Sequence, residues 1–263
     1  MFWNNLSGTH RRIFGALLFF PMVLAFVSSH QAAQWLFLPI AGLMVWEFAS
    51  MTRLAVPLRL AILTDFALFA LPAPLFAHLE LVAGTSLAPV VLALALLVLL
   101  FVWMATRDAL ATWFGVALIS CVLAVRGILG TDSGHLVLLA VAAIVAGCDV
   151  AAYFVGRQVG GPRLAPSISP NKTRSGALGG LAGALLIAVL FATVASVSIV
   201  EAVIGGIGIA VLAQAGDLLE SMLKRRMGVK DSGWLIPGHG GFLDRFDGYL
   251  LTLPAVYLYI LAG

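Results

Sequence analysis

The chain has 263 residues, of which 62% are hydrophobic and only 10% are charged. Because about a quarter of the residues of a soluble domain are charged, this composition excludes an ordinary soluble protein. The apolar runs are continuous, without the alternation of a β-barrel strand, and many approach the roughly 20 residues that an α-helix needs to cross a membrane. The sequence therefore predicts an all-α, polytopic helical bundle in a membrane.

Nine apolar segments are candidates for membrane-spanning helices, and we predict about nine spans. They are 13–29, 32–50, 60–80, 87–105, 109–126, 134–156, 176–198, 200–220 and 248–262. We divide them into an N-terminal region, residues 1–130, that acts as a lipid-facing scaffold, and a C-terminal region, residues 131–263, that carries two polar segments.

Positive charge predicts the orientation of these spans. With nine spans, every Lys and Arg except Arg126 falls on one side of the membrane. Positive charge is retained on the cytoplasmic side, so we expect the N-terminus inside and the C-terminus outside. This explains the net charge of +3 better than a nucleic-acid partner does. The loops 157–175 and 221–247 are separated by two spans, so this count (the parity of the spans) puts both on the same face of the membrane. Two polar segments of the chain can therefore meet there.

The first polar segment, from Gly216 to Asp247, carries five Asp or Glu, five Lys or Arg and one His. Charge at this density beside membrane spans is costly and typically marks a functional site. Four side chains share one face of a helix, because their spacing is i, i+3, i+4 and i+7. They are Asp217, Glu220, Ser221 and Lys224.

Asp244 and Asp247 lie three residues apart at the start of the last predicted span. Carboxylates that converge from two helices, with Asp217 and Glu220 on the other, suit a hard divalent cation such as Mg²⁺. The alternative for Asp244 and Asp247 is that they only cap a helix N-terminus.

The basic side chains of this segment are suited to binding phosphate groups. They include Lys224, Arg225, Lys230 and Arg245. The run 224–226 alone is also typical of a positive-inside anchor. The glycines around His239 allow a close approach of the backbone to a ligand, and we expect His239 to act as a loop hydrogen-bonding group rather than as a metal ligand.

The second polar segment begins with Asp149, which lies inside a predicted span on the same face as Tyr153. An acidic residue within a membrane span is a functional candidate, although pairing with Arg157 would also explain it. Further along, residues 169–173 read Ser-Pro-Asn-Lys-Thr. The lysine and threonine of this run either cradle a phosphate or cap the next helix.

The remaining acidic residues are isolated, and for most of them we expect a place at the membrane interface. They are Glu47, Asp65, Glu80, Asp108 and Glu201, of which Glu47 alternatively faces the bundle interior. Both cysteines, Cys121 and Cys148, lie in apolar runs without metal-ligand spacing, which predicts buried packing thiols.

Together the two segments resemble the phosphatidate cytidylyltransferase (CDP-diacylglycerol synthase) family. The family signature runs Ser, Lys-Arg, Lys-Asp, Pro-x-His-Gly-Gly and Asp-Arg-x-Asp, and residues 221–247 match it at every defining position. Residues 149–173 also look like the family. The chain departs from the pattern at Arg174-Ser175, where the family usually has an aromatic residue and Glu. This departure predicts either a less efficient enzyme or a different acceptor.

The resemblance implies a nucleotidyltransferase that converts CTP and phosphatidate into CDP-diacylglycerol and pyrophosphate, with Mg²⁺ as cofactor and a second metal ion left open. The catalytic residues would be Asp217, Lys224, Lys230, Asp244 and Asp247. The metal ligands would be Asp217, Asp244 and Glu220. The substrate-binding residues would be Asp149, Tyr153, Ser169, Lys172, Thr173, Ser221, Arg225, His239, Gly240, Gly241 and Arg245.

Other functions stay open at this point. A CTP-using lipid kinase of the polyprenol or phytol type would transfer the γ-phosphoryl group, and a divergent family member would act on another lipid phosphate. From different classes, a transporter would use Asp149 and Asp217 as a cation path, and an inactive homologue would act as a scaffold. We expect a bacterial inner-membrane protein with its site facing the cytoplasm, and a homodimer is an open alternative.

Overall fold

The computed structural model describes residues 29–54, 56, 59–60, 62–63, 67, 73–83, 88–195, 197–234 and 240–262. Helices dominate these residues. The helices are α1 (His30–Met51), α2 (Ala73–Ala83), α3 (Ala88–Thr106), α4 (Ala109–Ile128), α5 (Gly134–Val159), α6 (Arg174–Ala195), α7 (Ile199–Arg226) and α8 (Tyr249–Ala262). A short antiparallel hairpin, β1 (Arg163–Ala165) and β2 (Ser169–Thr173), joins α5 to α6.

The prediction of an all-α membrane bundle is confirmed, with the hairpin as an addition inside a predicted loop. In the described part of the chain, α1, α4, α5, α6 and α7 are long and apolar enough to cross a membrane. Two shorter apolar helices are Ala95–Thr106, within α3, and α8. The predicted span 13–29 lies outside the described residues except for its last residue, and nine of the 21 residues of 60–80 do too. The count of nine spans and the division at residue 130 therefore stay predictions.

Two of the isolated acids begin helices. The Asp108 carboxylate accepts a hydrogen bond from the Ala111 N–H at 3.1 Å and caps α4. Ser198 and Glu201 form a reciprocal capping box at the start of α7. Such pairs satisfy N–H groups that have no partner within the helix. These acids thus define where two helices start, which the apolar pattern alone leaves open.

The core of the described structure contains α1, α3, α4 and α8, and a second small cluster joins α5, α6 and α7. Phe48 of α1 stacks on Phe114 of α4 with ring centroids 5.5 Å apart. Cys121 and Cys148 are buried, as predicted. This packing sets the ends of α5, α7 and α8 beside one another, and the polar segments lie at those ends.

Glycines allow α5 and α6 to pack with their backbones close together. A methyl group added at Gly183 of α6 would lie 2.5 Å from the Ala151 Cβ and 2.6 Å from the Gly147 carbonyl oxygen. Small residues at a membrane helix interface favour this approach, because van der Waals contact between helices replaces the hydrophobic effect. The interface between α5 and α6 therefore has no room for a larger side chain at Gly183.

We expect Gly183→Ala to destabilise the protein by about 1–3 kcal/mol, because overpacking displaces the facing helix. The matched control is Gly205→Ala, since a methyl group at Gly205 meets no atom within 4 Å. Thermal unfolding in detergent should show a lower Tm for the first variant only. Equal Tm values for the two variants would contradict the packing described here.

Candidate active site

The two polar segments meet, as the parity of the spans predicted. The Lys172 ammonium group of β2 forms an ion pair with the Asp217 carboxylate of α7. Nearby, the Arg225 guanidinium donates a hydrogen bond to the Ile168 carbonyl oxygen in the hairpin turn, with Nε and O 3.4 Å apart. The hairpin is therefore held against the C-terminal turns of α7.

A buried lysine lies at the centre of the site. The Lys224 Nζ donates to Glu220 Oε2 at 2.7 Å and to Asp244 Oδ1 at 2.5 Å. Glu220 is 0% exposed, and Lys224 is also buried. Because Glu220 precedes Lys224 by one helical turn, α7 supplies both members of the first pair, and the turn before α8 supplies the second carboxylate. Lys224 thus links α7 to the turn before α8 and is not an interfacial anchor.

Backbone N–H groups complete the environment of Asp244. Its Oδ2 accepts hydrogen bonds from the Gly241 N–H at 2.7 Å and the Ser232 N–H at 3.0 Å. Burial opposes ionisation, but the Lys224 charge and these N–H groups outweigh it and hold the pKa of Asp244 below its usual range. Gly240 has a φ of 82°, which favours glycine, and allows this close approach. The carboxylate is therefore ionised and fixed.

Asp247 lies in a more negative environment. Its Oδ1 accepts a hydrogen bond from the Gly248 N–H at 2.7 Å. Burial, followed by the negative charges of Asp217 and Asp149, raises the pKa of Asp247 to about 7. Carboxylates from α5, α7 and the turn before α8 therefore repel one another, and a cation placed among them would relieve this repulsion.

Several predicted binding residues already have partners in the protein. The Thr173 hydroxyl oxygen accepts from the Gly176 N–H at 3.0 Å, which is the geometry of a cap on α6. The Ser221 hydroxyl lies 3.4 Å from Asp217 Oδ1. The Tyr153 hydroxyl accepts from Arg157 at 2.8 Å, so this arginine bonds to Tyr153 and forms no ion pair with Asp149.

Other predicted residues are more accessible. Lys230 and Arg245 are exposed beside the site, and Ser169 is half-buried at the start of β2. His239 lies outside the described residues. The substrate-binding and catalytic roles of all these residues stay predictions.

The chemistry of the donors fits the Mg²⁺ that the resemblance implies, because hard divalent cations take carboxylate oxygens. Asp217 already binds one cation, the ammonium group of Lys172. The Glu220 Oε1 is buried without a hydrogen-bond partner among the described residues. Those residues hold no group of three or more His, Cys, Asp or Glu placed for a metal ion. The predicted ligand set of Asp217, Asp244 and Glu220 therefore stays a prediction.

Two residues of this network, Glu47 and Ser232, were not among the predicted site residues. Glu47 of α1 is 2% exposed, and its Oε2 accepts hydrogen bonds from the Ser232 hydroxyl at 2.9 Å and the Leu243 N–H at 2.8 Å. We expected most isolated acids at the interface, whereas Glu47 takes the alternative place in the bundle interior. An acid in the middle of an apolar helix was the available signal.

Ser175, one of the two residues at which the chain departs from the expected pattern, also has a definite place. Its hydroxyl donates to the Gly160 carbonyl oxygen at the end of α5 and lies 3.0 Å from the Thr173 hydroxyl. Ser175 thus closes the base of the hairpin against α5. Nothing in these contacts indicates how the change from Glu affects catalysis.

Comparison with known proteins identifies the family. The sequence profile described as "Cytidylyltransferase family" matches residues 9–262, nearly the whole chain. The chain belongs to the cytidylyltransferase family.

Relatives of this family member carry a more specific name. Proteins named phosphatidate cytidylyltransferase are 49% identical over 124 residues in Brucella suis biovar 1 (strain 1330) and 48% identical over 111 residues in Bacillus subtilis (strain 168). Another, from Haemophilus influenzae, is 42% identical over 127 residues. These matches span 44%, 41% and 46% of the chain and 44%, 41% and 44% of the relatives, less than half of their length.

Loss of the central lysine should destabilise the protein. We expect Lys224→Met to cost about 3–5 kcal/mol at neutral pH, because it leaves two buried carboxylates without their partner. The loss should shrink at low pH, where protonated carboxylates no longer need a cation. Unfolding in detergent measures both effects. The exposed Lys230→Met is the matched control, and equal stability of the two variants at neutral pH would contradict the arrangement.

Proposed function

We propose that this family member transfers the cytidylyl group of CTP to a lipid phosphate, with phosphatidate as acceptor and CDP-diacylglycerol and pyrophosphate as products. The observation that carries the proposal is the convergence of cations and carboxylates from α7, the hairpin and the turn before α8 at one end of an apolar bundle. The names of the relatives support the choice of substrates.

The proposed reaction requires positively charged groups rather than a strong general base. An oxygen of the lipid phosphate, already anionic, would form a bond to the α-phosphorus of CTP while the bond from that phosphorus to the pyrophosphate oxygen breaks. Since both reactants are polyanions, the barrier lies in bringing them together and in stabilising the leaving group, which fixed cations do. The residues suited to this are Lys172, Lys224, Arg225, Lys230 and Arg245.

Mg²⁺ would be held by Asp217 and Asp244, with Glu220 in support. When bound, it would supply positive charge to the phosphate oxygens. The two aspartates each bind a lysine ammonium group, which is the behaviour expected of positions that attract cations. Lys172, the more exposed of the two lysines, would then be available to the phosphates, since the Asp217 carboxylate cannot be fully shared between two cations.

Transfer of the correct part of CTP tests the reaction. With Mg²⁺ and phosphatidate, the purified protein should move label from the α-phosphate of CTP into a CDP-lipid. Label from the γ-phosphate in the lipid would instead identify a kinase. CTP binding without turnover on any lipid phosphate would identify an inactive scaffold, and turnover on another lipid phosphate would identify a divergent acceptor.

Asp217→Asn should lower kcat by roughly a hundredfold or more, because it removes the charge that both Lys172 and a metal ion would use. The matched control is Asp132→Asn, an exposed aspartate in the connection between α4 and α5. Steady-state rates per folded protein, with folding checked by thermal unfolding, measure the effect. A variant at Asp217 that turns over like the control would remove this residue from the mechanism.

We further propose that the site faces the cytoplasm of a bacterial inner membrane, which the distribution of Lys and Arg supports. Cysteine labelling tests this directly, because the native Cys121 and Cys148 are buried. Trp234→Cys, at a position 86% exposed beside the site, should react with an impermeant maleimide in inverted vesicles only. Asp132→Cys should react in right-side-out vesicles only. The reverse pattern would overturn the orientation.

A further inference from the structure

Glu47 connects the N-terminal part of the chain to the candidate site. It lies near the C-terminal end of α1, outside both polar segments. Its Oε2 accepts from the Ser232 hydroxyl at 2.9 Å and from the Leu243 N–H at 2.8 Å. One carboxylate oxygen therefore contacts the chain on both sides of residues 233–242, at Ser232 and at Leu243.

Through Ser232 this contact reaches Asp244. The Ser232 N–H donates to Asp244 Oδ2 at 3.0 Å, and the Asp244 N–H lies 3.3 Å from the Ser232 hydroxyl oxygen. Asp244 in turn binds the Lys224 ammonium group. A continuous chain of hydrogen bonds thus runs from α1 to the charged centre of the site, and its first member is Glu47.

The surrounding backbone is shaped to admit this carboxylate. A methyl group added at Gly233 would collide with the Glu47 carboxylate, and one added at Gly241 would collide with both Glu47 and the Ser232 hydroxyl. Burial of a carboxylate is unfavourable, and Glu47 Oε1 has no hydrogen-bond partner among the described residues. The other oxygen, Oε2, accepts both of the hydrogen bonds that connect α1 to Ser232 and Leu243.

We propose that Glu47 is a positioning residue of the active site: it holds Ser232 and Leu243 and so fixes the orientation of Asp244. The part of this inference that concerns turnover rests on the proposed function. The part that concerns the order of segment 232–244 does not. Glu47 itself makes no contact with the reacting groups in this scheme.

The experiment compares Glu47→Ala and Glu47→Gln with a control on the same helix. The control is Gln34→Ala. Gln34 is also buried and donates a hydrogen bond to the Leu129 carbonyl oxygen at 2.8 Å. It lies roughly 20 Å from Glu47, toward the N-terminal end of α1. Hydrogen exchange of the full-length protein in detergent, read by mass spectrometry, and kinetics with CTP and phosphatidate provide independent readouts.

Glu47→Ala should raise exchange in peptides covering residues 232–244 by about tenfold or more, the expected effect of losing the two hydrogen bonds that the Glu47 side chain accepts. It should lower kcat by roughly ten- to a hundredfold through misplacement of Asp244, with little change in the KM for the lipid. Glu47→Gln should restore most of both quantities, since an amide oxygen still accepts two hydrogen bonds. Gln34→Ala should change neither, even if its Tm falls.

Unchanged exchange at 232–244 in Glu47→Ala would overturn the proposal. So would an equal loss of kcat in Gln34→Ala, because the effect would then reflect general instability. If Glu47→Ala does not fold, Ser232→Ala takes its place, since it removes only the linking hydroxyl and should shift exchange and kcat in the same direction. A wild-type protein without cytidylyl transfer would refute the proposed function, while the exchange data would still decide whether Glu47 orders this segment.

Discussion

The ammonium group of Lys224 and its two carboxylates are the interaction on which the rest of the site depends. A charge in a buried position is tolerable only with close opposite charges, and Lys224 has Glu220 on its own helix and Asp244 on the following turn. Breaking either contact would leave a charge without compensation. The requirement fixes the distance between the end of α7 and the turn before α8.

Around this centre the protein separates two kinds of carboxylate. Asp244 receives a cation and two backbone N–H groups, which stabilise its ionised form. Asp247 faces other negative charges, which disfavour ionisation. The neighbouring acids therefore differ in electrostatic environment although they are three residues apart. Such a division suits a site that must hold a highly charged ligand without repelling it when the ligand arrives.

Much of the fold follows from the length of the apolar runs. The predicted spans 109–126 and 134–156 correspond to α4 and α5, with ends that differ by up to three residues. Among the predicted spans that are fully described, the largest difference is at α7, which continues to Arg226, beyond the predicted end at residue 220. Hydropathy ends a span where charge begins, but the helix continues because Glu220 and Lys224 pair with each other one turn apart.

The site was predictable to the extent that it depends on local spacing. Helical periodicity correctly put Glu220 and Lys224 on one face, and parity correctly brought Lys172 near α7. Periodicity does not reveal which side of α7 becomes buried, because that depends on how the turn before α8 folds back. The contacts of Glu47 are the clearest example of what local spacing cannot predict. Its partners are 185 and 196 residues away, and no local pattern connects them.

That separation also has a consequence for biogenesis. Glu47 enters the membrane with α1, whereas Ser232 and Leu243 are synthesised only after 185 and 196 further residues. At about 5–20 residues per second, this interval lasts on the order of 10–40 s. During that time the acid has neither of these partners. Completion of the active site is therefore also the event that supplies Glu47 of α1 with its two hydrogen-bond donors.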